Sequence, residues 1–278
     1  MCVLPVSVAF LLGDALAAVA PWFLGTHRKR LTAKLVKAFP NDAAMVRRIC
    51  SQYFRKAIVR FFDDLLVARM MRNGGLKNVK LVHLENLTDT LSAGHGAVLM
   101  TGHFFAGRVA KRYLTSIGFP SMTLRQPDPV SRWAGLLGRN FLQRRYTKLL
   151  GDVIGEEIST TDPECSLKML ARLRTAGMVT IHADVALSQQ VSVRQFLGRE
   201  RKHSIGYLQL AWVAGAPVVP IHCRGSARGL VIEFDPPLDP TKWADRESFV
   251  RDATDWMWER LENHVRRTPE QWDLWMRW

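Results

Sequence analysis

The residue best suited to chemistry in this chain is a histidine at the end of an apolar run. Ala97-Val98-Leu99-Met100-Thr101 reads as a buried strand, and Gly102-His103-Phe104-Phe105-Ala106-Gly107 leads from it into a stretch of helical period. In open α/β sheets ligands bind beyond the carboxyl ends of strands, so His103 would stand where a substrate arrives. An imidazole can take a proton from an acceptor hydroxyl near neutral pH and hand it to a leaving thiolate. A histidine satisfied by local hydrogen bonds is an equally common occupant of such a position. His182-x-Asp184, His203 and His222 are the remaining histidines of interest. His182 and Asp184 alternate onto one face of an extended strand, but no compact metal-binding motif is present, and neither a metal nor a bound cofactor is implied. No G-x-S-x-G nucleophile elbow occurs, which favours direct transfer over a covalent acyl-enzyme. Arg125, Arg139, Arg144, Arg145 and Arg199 are candidates for phosphate contacts, because a guanidinium forks onto phosphate oxygens.

The elements that must hold these groups follow from periodicity. Short apolar runs at 79–83, 97–101, 120–124, 178–183, 217–222 and 230–234 read as strands. Amphipathic stretches at 104–118, 130–146, 163–176 and 204–214 separate most of them, and a final helix covers about 246–267. Alternating strands and helices imply an α/β domain with a mainly parallel sheet flanked by helices. Ahead of the sheet, Asn41 or Asp42 can cap a long helix running to Met71, with Val46, Ile49, Tyr53, Ala57, Phe61 and Leu65 on its apolar stripe.

The 278 residues, 47% of them hydrophobic, suffice for one large domain. Four well-separated cysteines (Cys2, Cys50, Cys165, Cys223) form no C-x-x-C pair and suit a reducing cytosolic environment. The net charge of +14 calls for an anionic partner. Residues 27–60 hold ten Lys or Arg against Asp42 alone, so they carry +9 of it. That basic segment directly follows an apolar one, residues 2–25, whose single charge is Asp14. The segment lacks a basic n-region, and Pro21 follows Ala-Val-Ala, so it is a poor signal peptide. As a spanning helix it would bury Asp14 at a cost of about 2.5–3.5 kcal/mol. A helix lying in one leaflet, with the basic run on anionic headgroups, reconciles both facts. The expected division is a membrane-associating helix at 1–26 and a catalytic domain at 27–278, on the cytoplasmic face of a bacterial inner membrane. A nucleic-acid partner is disfavoured: no zinc-finger spacing or RNP-like aromatic block appears. Five of the nine tryptophans fall in the last 23 residues, where they either pack the tail or favour a membrane interface.

The run His95-Gly96-Ala97-Val98-Leu99-Met100-Thr101-Gly102-His103-Phe104 resembles the motif-bearing strand of the lauroyl/myristoyl acyltransferases of lipid A synthesis. These belong to the wider lysophospholipid and glycerolipid acyltransferase superfamily, with its H-x-x-x-x-D/E motif. Leu84-Glu85-Asn86-Leu87, Leu124-Arg125-Gln126-Pro127, Asp184 after Met178–Ala183, Phe196-Leu197-Gly198-Arg199, Gly215-Ala216-Pro217-Val218-Val219-Pro220 and the tail Thr268-Pro269-Glu270-Gln271-Trp272 resemble further blocks in the same order. The likeness implies acyl transfer from a thioester, on acyl carrier protein or coenzyme A, to a hydroxyl or amine of a lipid or glycolipid. It implies His103 as general base, and Arg125, Gly198 and Arg199 at the substrate.

One position departs from the pattern: Arg108 stands where the family has its carboxylate, five residues after the histidine. Losing an orienting carboxylate of this kind can cost about 10⁴ in rate, and a guanidinium beside His103 would hold its pKa down. Three readings follow. Asp184 replaces the missing carboxylate from another strand while Arg108 serves the substrate; or His103 works alone on an easier nucleophile; or the chain is an inactive, lipid-binding homologue.

Overall fold

The central apolar runs become strands because they are buried on both faces of one sheet, whereas those nearer its edge are buried only in part. The computed structural model describes residues 5–73, 75–125, 156–186 and 190–278. Its strands are β1 (Val79–Val82), β2 (Ala97–Thr101), β3 (Ser121–Arg125), β4 (Glu157–Ser159), β5 (Met178–His182), β6 (Val191–Phe196), β7 (Arg199–Ser204), β8 (Val218–Ser226) and β9 (Gly229–Phe234). Seven of them form the main sheet in the order β1-β9-β8-β2-β5-β3-β4. Neighbours run parallel except β8 and β9, which form an antiparallel hairpin. The expected mainly parallel α/β sheet is therefore present. Around it lie α1 (Val6–Phe23), α2 (Gly25–Ala38), α3 (Ala43–Arg72), α4 (Glu85–Ser92), α5 (Gly107–Ser116), α6 (Cys165–Arg174), α7 (Gly206–Ala214) and α8 (Arg246–Arg267). The stretch expected as a helix at 130–146, with Arg139, Arg144 and Arg145, lies outside the described residues.

β2 is central and all five of its residues are buried. Its alternate side chains feed two separate cores. Val98 and Met100 join α2, α3, α8 and the tail on one face, while Ala97 and Leu99 join α1, α5 and the C-terminal part of α3 on the other. Three strands had no apolar run to announce them. β4 is a three-residue edge, and β6–β7 is an isolated two-stranded hairpin, exposed at Val191, Val193 and Gln195 on one strand and at Glu200 and Lys202 on the other. The stripe on α3 also differs from the expected one: Val46, Ile49 and Tyr53 are buried, but Phe61 is exposed. This helix of 30 residues serves both cores in turn, so its buried face shifts along its length. Asp42 caps it, its carboxylate accepting the Met45 N–H at 2.8 Å.

α1 turns one flank to the protein. Ala9, Phe10 and Ala17 are buried, and Gly13 lies so close to the Phe62 ring that a Cβ there would sit 2.9 Å from it. The opposite face carries Val8, Leu11, Leu12, Leu16, Val19 and Trp22, all exposed, with Leu11 at 67% and Trp22 at 86%. Asp14 lies between the two faces and makes a two-pronged ion pair with Arg228 at the β8–β9 turn, at 2.7 and 2.8 Å. Among the described residues no helix is long and apolar enough to cross a membrane. The apolar segment packs on the protein through Ala9, Phe10, Gly13 and Ala17, and Asp14 adds an ion pair at its edge.

The terminal tryptophans pack. Trp258, Trp272, Trp275 and Trp278 are buried, with Trp275 edge-on to both Trp272 (4.8 Å between centroids) and Trp278 (5.3 Å). The Trp275 indole N–H donates to the Pro269 carbonyl at 2.6 Å. Trp275→Ala should therefore lower the free energy of unfolding by about 3–5 kcal/mol in chemical denaturation. A loss below about 1 kcal/mol would show that the tail is not part of the core.

Candidate active site

The pairing of β2 with β5 sets the geometry of the site. Thr101 lies opposite His182 in parallel register, so the residues two positions further on, His103 and Asp184, meet just beyond the strand ends. His103 Nδ1 lies 2.5 Å from Asp184 Oδ1. An ionised carboxylate can only accept, so Nδ1 carries the hydrogen and Nε2 is left as the basic nitrogen. The His103 backbone N–H donates to Asp184 Oδ2 at 2.6 Å, and the Trp272 indole N–H donates to the same oxygen at 2.8 Å. Gly102 permits this approach, since a Cβ there would stand 3.1 Å from Oδ2 and 2.8 Å from Leu261.

The tail clamps the histidine from the other side. Asp273 N–H donates to the His103 carbonyl at 2.7 Å, and Phe105 N–H donates to the Gln271 carbonyl at 2.8 Å. Asp273 is itself held: its carbonyl accepts from the Tyr53 hydroxyl at 2.8 Å, and its carboxylate pairs with Arg60 at 2.5 Å. The His103 side chain keeps 31% of its surface open, while that of Asp184 has none. Nε2 therefore faces the side from which a substrate can approach, and it has no hydrogen-bond partner among the described residues.

Burial alone would lower the His103 pKa, but the charge of Asp184 and its hydrogen bond raise it, helped by the charge of Asp273. The net shift is upward. For Asp184, burial pushes upward and is overcome by the charge of His103 and by three donated hydrogen bonds, so the carboxyl stays below its ordinary value. His182 differs. Its ring lies 4.4 Å from the His103 ring, and burial, followed by the charge of His103, pushes its pKa down to about 3. One imidazole is made basic and its neighbour is kept neutral. Lys111, on α5, is pushed down to about 8 by burial, against the raising effect of Glu157 and Glu156.

Arg108 sits on α5 with its guanidinium 2.9 Å from Asp64 Oδ2 on α3. The anticipated depression of the His103 pKa by Arg108 is not found, because the shift is upward and Asp184 governs it. Arg125 ends β3, two strands from His103 in the sheet, and pairs with Glu157 at 2.9 Å. Gly198, at φ 76°, makes the β6–β7 turn. Arg199 follows it and lies over the Trp278 ring at 4.4 Å. The contacts described for Arg125 and Arg199 are thus with Glu157 and Trp278. Four contributors went unrecognised in the sequence: Trp272 as a donor to Asp184, Asp273 and Tyr53 as supports of the His103 backbone, and Asp64 as the partner of Arg108. Only Trp272 carried a signal, its place in the tail block.

The family model described as bacterial lipid A biosynthesis acyltransferase matches residues 1–278. A search of curated protein sequences finds none that matches this chain. Among solved structures, the 1-acyl-sn-glycerophosphate (LPA) acyltransferase PlsC from Thermotoga maritima is similar at 10% identity, with a TM-score of 0.40, over 90% of this chain and 96% of that one.

The geometry makes the titration of His103 a direct test of the pair. Asp184→Asn removes the upward contributions and leaves burial, so the His103 pKa should fall below the ordinary value of about 6.5. Imidazole nitrogen NMR across a pH series reads this shift. An unchanged His103 titration would show that Asp184 does not govern it.

Proposed function

Because this chain belongs to the bacterial lipid A biosynthesis acyltransferase family, and is an acyltransferase acting on lipids, we propose that His103 and Asp184 form its catalytic pair. The supporting observation is the short contact from Nδ1 to a fully buried carboxylate, with Nε2 open. The donor is a fatty acyl thioester on acyl carrier protein or coenzyme A. The acceptor is a hydroxyl or amine of a lipid or glycolipid, with a lipid A precursor first among them. Nε2 takes the acceptor proton as its oxygen or nitrogen attacks the thioester carbonyl. Collapse of the tetrahedral intermediate breaks the carbon–sulfur bond, and the imidazolium returns the proton to the departing thiolate. Asp184 stabilises the imidazolium between these steps and holds the tautomer, the work of the acid in a catalytic triad. Arg277, whose charge reaches His103, is proposed to supply positive potential for the developing oxyanion. Arg125 and Arg199 are proposed to meet phosphates of donor or acceptor from the rim of the site.

The protein is further proposed to lie on the cytoplasmic face of the inner membrane. The exposed apolar face of α1 would enter one leaflet, and the basic segment at 27–60 would meet anionic headgroups. Leu16→Glu with Trp22→Glu should then release the folded protein from membranes. Both positions are exposed, so the substitutions leave the core intact. Retention of this variant in the membrane fraction would remove α1 as the anchor.

Transfer from labelled acyl carrier protein and acyl coenzyme A to a cell-lipid extract tests the chemistry. His103→Ala should abolish transfer with the fold unchanged, and Asp184→Asn should lower it by about 10⁴. Arg108→Glu should not restore a family-like pair. It would set a second carboxylate against buried Asp64, and stability and activity should fall together. A wild-type protein no better than His103→Ala across donors and acceptors would leave the inactive, lipid-binding reading in its place.

A further inference from the structure

A cavity of ≈ 330 Å³ opens between α1, α3 and the β8–β9 turn. Neither His103 nor Asp184 lines it, and the buried Phe105 ring contributes to its wall. Its lining is dominated by charge: Arg55, Lys56, Arg60 and Arg228 on one side of the balance, Asp14 and Asp63 on the other. The four cations are not equivalent. Arg228 is committed to Asp14, and Arg60 to Asp64 and Asp273. Arg55 and Lys56, neighbours on α3, form no ion pair with any described residue. Asp63 is 3% exposed, and its Oδ1 meets no hydrogen-bond partner among the described residues. Burial pushes this carboxyl up to about 7, so near neutrality it carries a proton part of the time and can donate to an anionic oxygen.

Two free cations and a buried carboxyl able to donate make a cradle for a phosphate. Where the cavity lies points to the phosphate's source. Asp14, which lines it, is on the flank of α1 next to the exposed row of Leu11, Leu12, Val19 and Trp22. A lipid whose acyl chains lay along that row would bring its headgroup to the level of Arg55 and Lys56. We infer that this cavity binds the phosphate of an anionic phospholipid headgroup, at a site separate from the reacting centre. The lipid assignment rests on the proposed seating of α1 in a leaflet, whereas the phosphate assignment rests on the cavity alone. Such a site would fix the orientation of the protein on the bilayer, where an exposed apolar helix face by itself sets only depth.

The test uses the full chain and a water-soluble probe, dihexanoyl phosphatidylglycerol, with inorganic phosphate in parallel, both by calorimetry. Arg55→Ala with Lys56→Ala removes the two free cations. Arg47→Ala with Arg48→Ala removes the same charge from exposed positions on the same helix, outside the cavity. One lipid should bind per chain, about tenfold or more weakly in the cavity variant and unchanged in the control. His103→Ala should bind it as the wild type does, so loss of acyl transfer and loss of this site read out independently. The α1 variant Leu16→Glu with Trp22→Glu should still bind inorganic phosphate, which separates failure of the membrane placement from failure of the cavity. Equal weakening in both double variants would reduce the effect to diffuse surface charge and overturn the inference. Phosphate bound as tightly as the lipid would overturn the lipid assignment.

Discussion

The carboxylate of Asp184 is the constraint around which the site is built. A fully buried charge is tolerated only when its oxygens are hydrogen-bonded and a counter-charge lies close. Asp184 obtains three donors from two residues distant in sequence: the His103 ring, the His103 backbone and the Trp272 indole. Each imposes a requirement. The ring must come from the strand next to β5, so β2 must be central. The backbone N–H must approach within hydrogen-bonding distance, so position 102 must lack a Cβ. The indole must reach in from the far end of the chain, so the last residues must fold back over the strand ends. The buried stack of Trp272, Trp275 and Trp278 holds that fold-back in place. This arrangement is not primarily a device for stability, since an apolar core of similar volume would serve as well. Its effect is to keep one imidazole in one tautomer and one orientation.

The loss of the family carboxylate at position 108 is absorbed by a second charged network. Arg108 meets Asp64, Arg60 bridges Asp64 and Asp273, and the Asp273 backbone holds the His103 carbonyl. The substituted residue thus supports the histidine through its backbone, by way of α3 and the tail, while Asp184 acts on the ring. An arginine five residues after the histidine is consistent with an ordered site because the charge it brings is met by Asp64, not by the imidazole.

How much of this was legible in the sequence depends on the range of the interaction. Strands buried on both faces announce themselves as apolar runs, and β2, β5 and β8 stood out on that ground. His103 was legible because a strand-end histidine followed by a helix is a local pattern. Asp184 could be chosen because it follows the strand run Met178–Ala183 at the place where the resembled family has an aspartate. β6 and β7 were not legible, since Val191 and Val193 alternate with polar residues on β6 and β7 is mostly charged, so neither forms an apolar run. The contact of Arg108 with Asp64 spans 44 residues and that of Trp272 with Asp184 spans 88, and no periodicity encodes either. Asp14 was legible as an obstacle to a spanning helix, but its partner Arg228, 214 residues away, was not.

The two neighbouring imidazoles give the site its asymmetry. The His103 and His182 rings lie 4.4 Å apart and tilted by 35°, so protonation of either opposes protonation of the other. Only His103 has a carboxylate on its ring and an open Nε2, and its pKa is raised. His182 is buried and held near 3, so it stays neutral over the whole range in which an acyltransferase works. Environments that push neighbouring pKa values apart separate the base from its bystander. The negative charge of Asp184 is then shared with one imidazolium and no second cation. A flat, uncharged ring beside His103 also excludes water from one of its faces. In the proposed mechanism, a proton taken by Nε2 would thereby be kept from a neighbouring base and stay available to the departing thiolate.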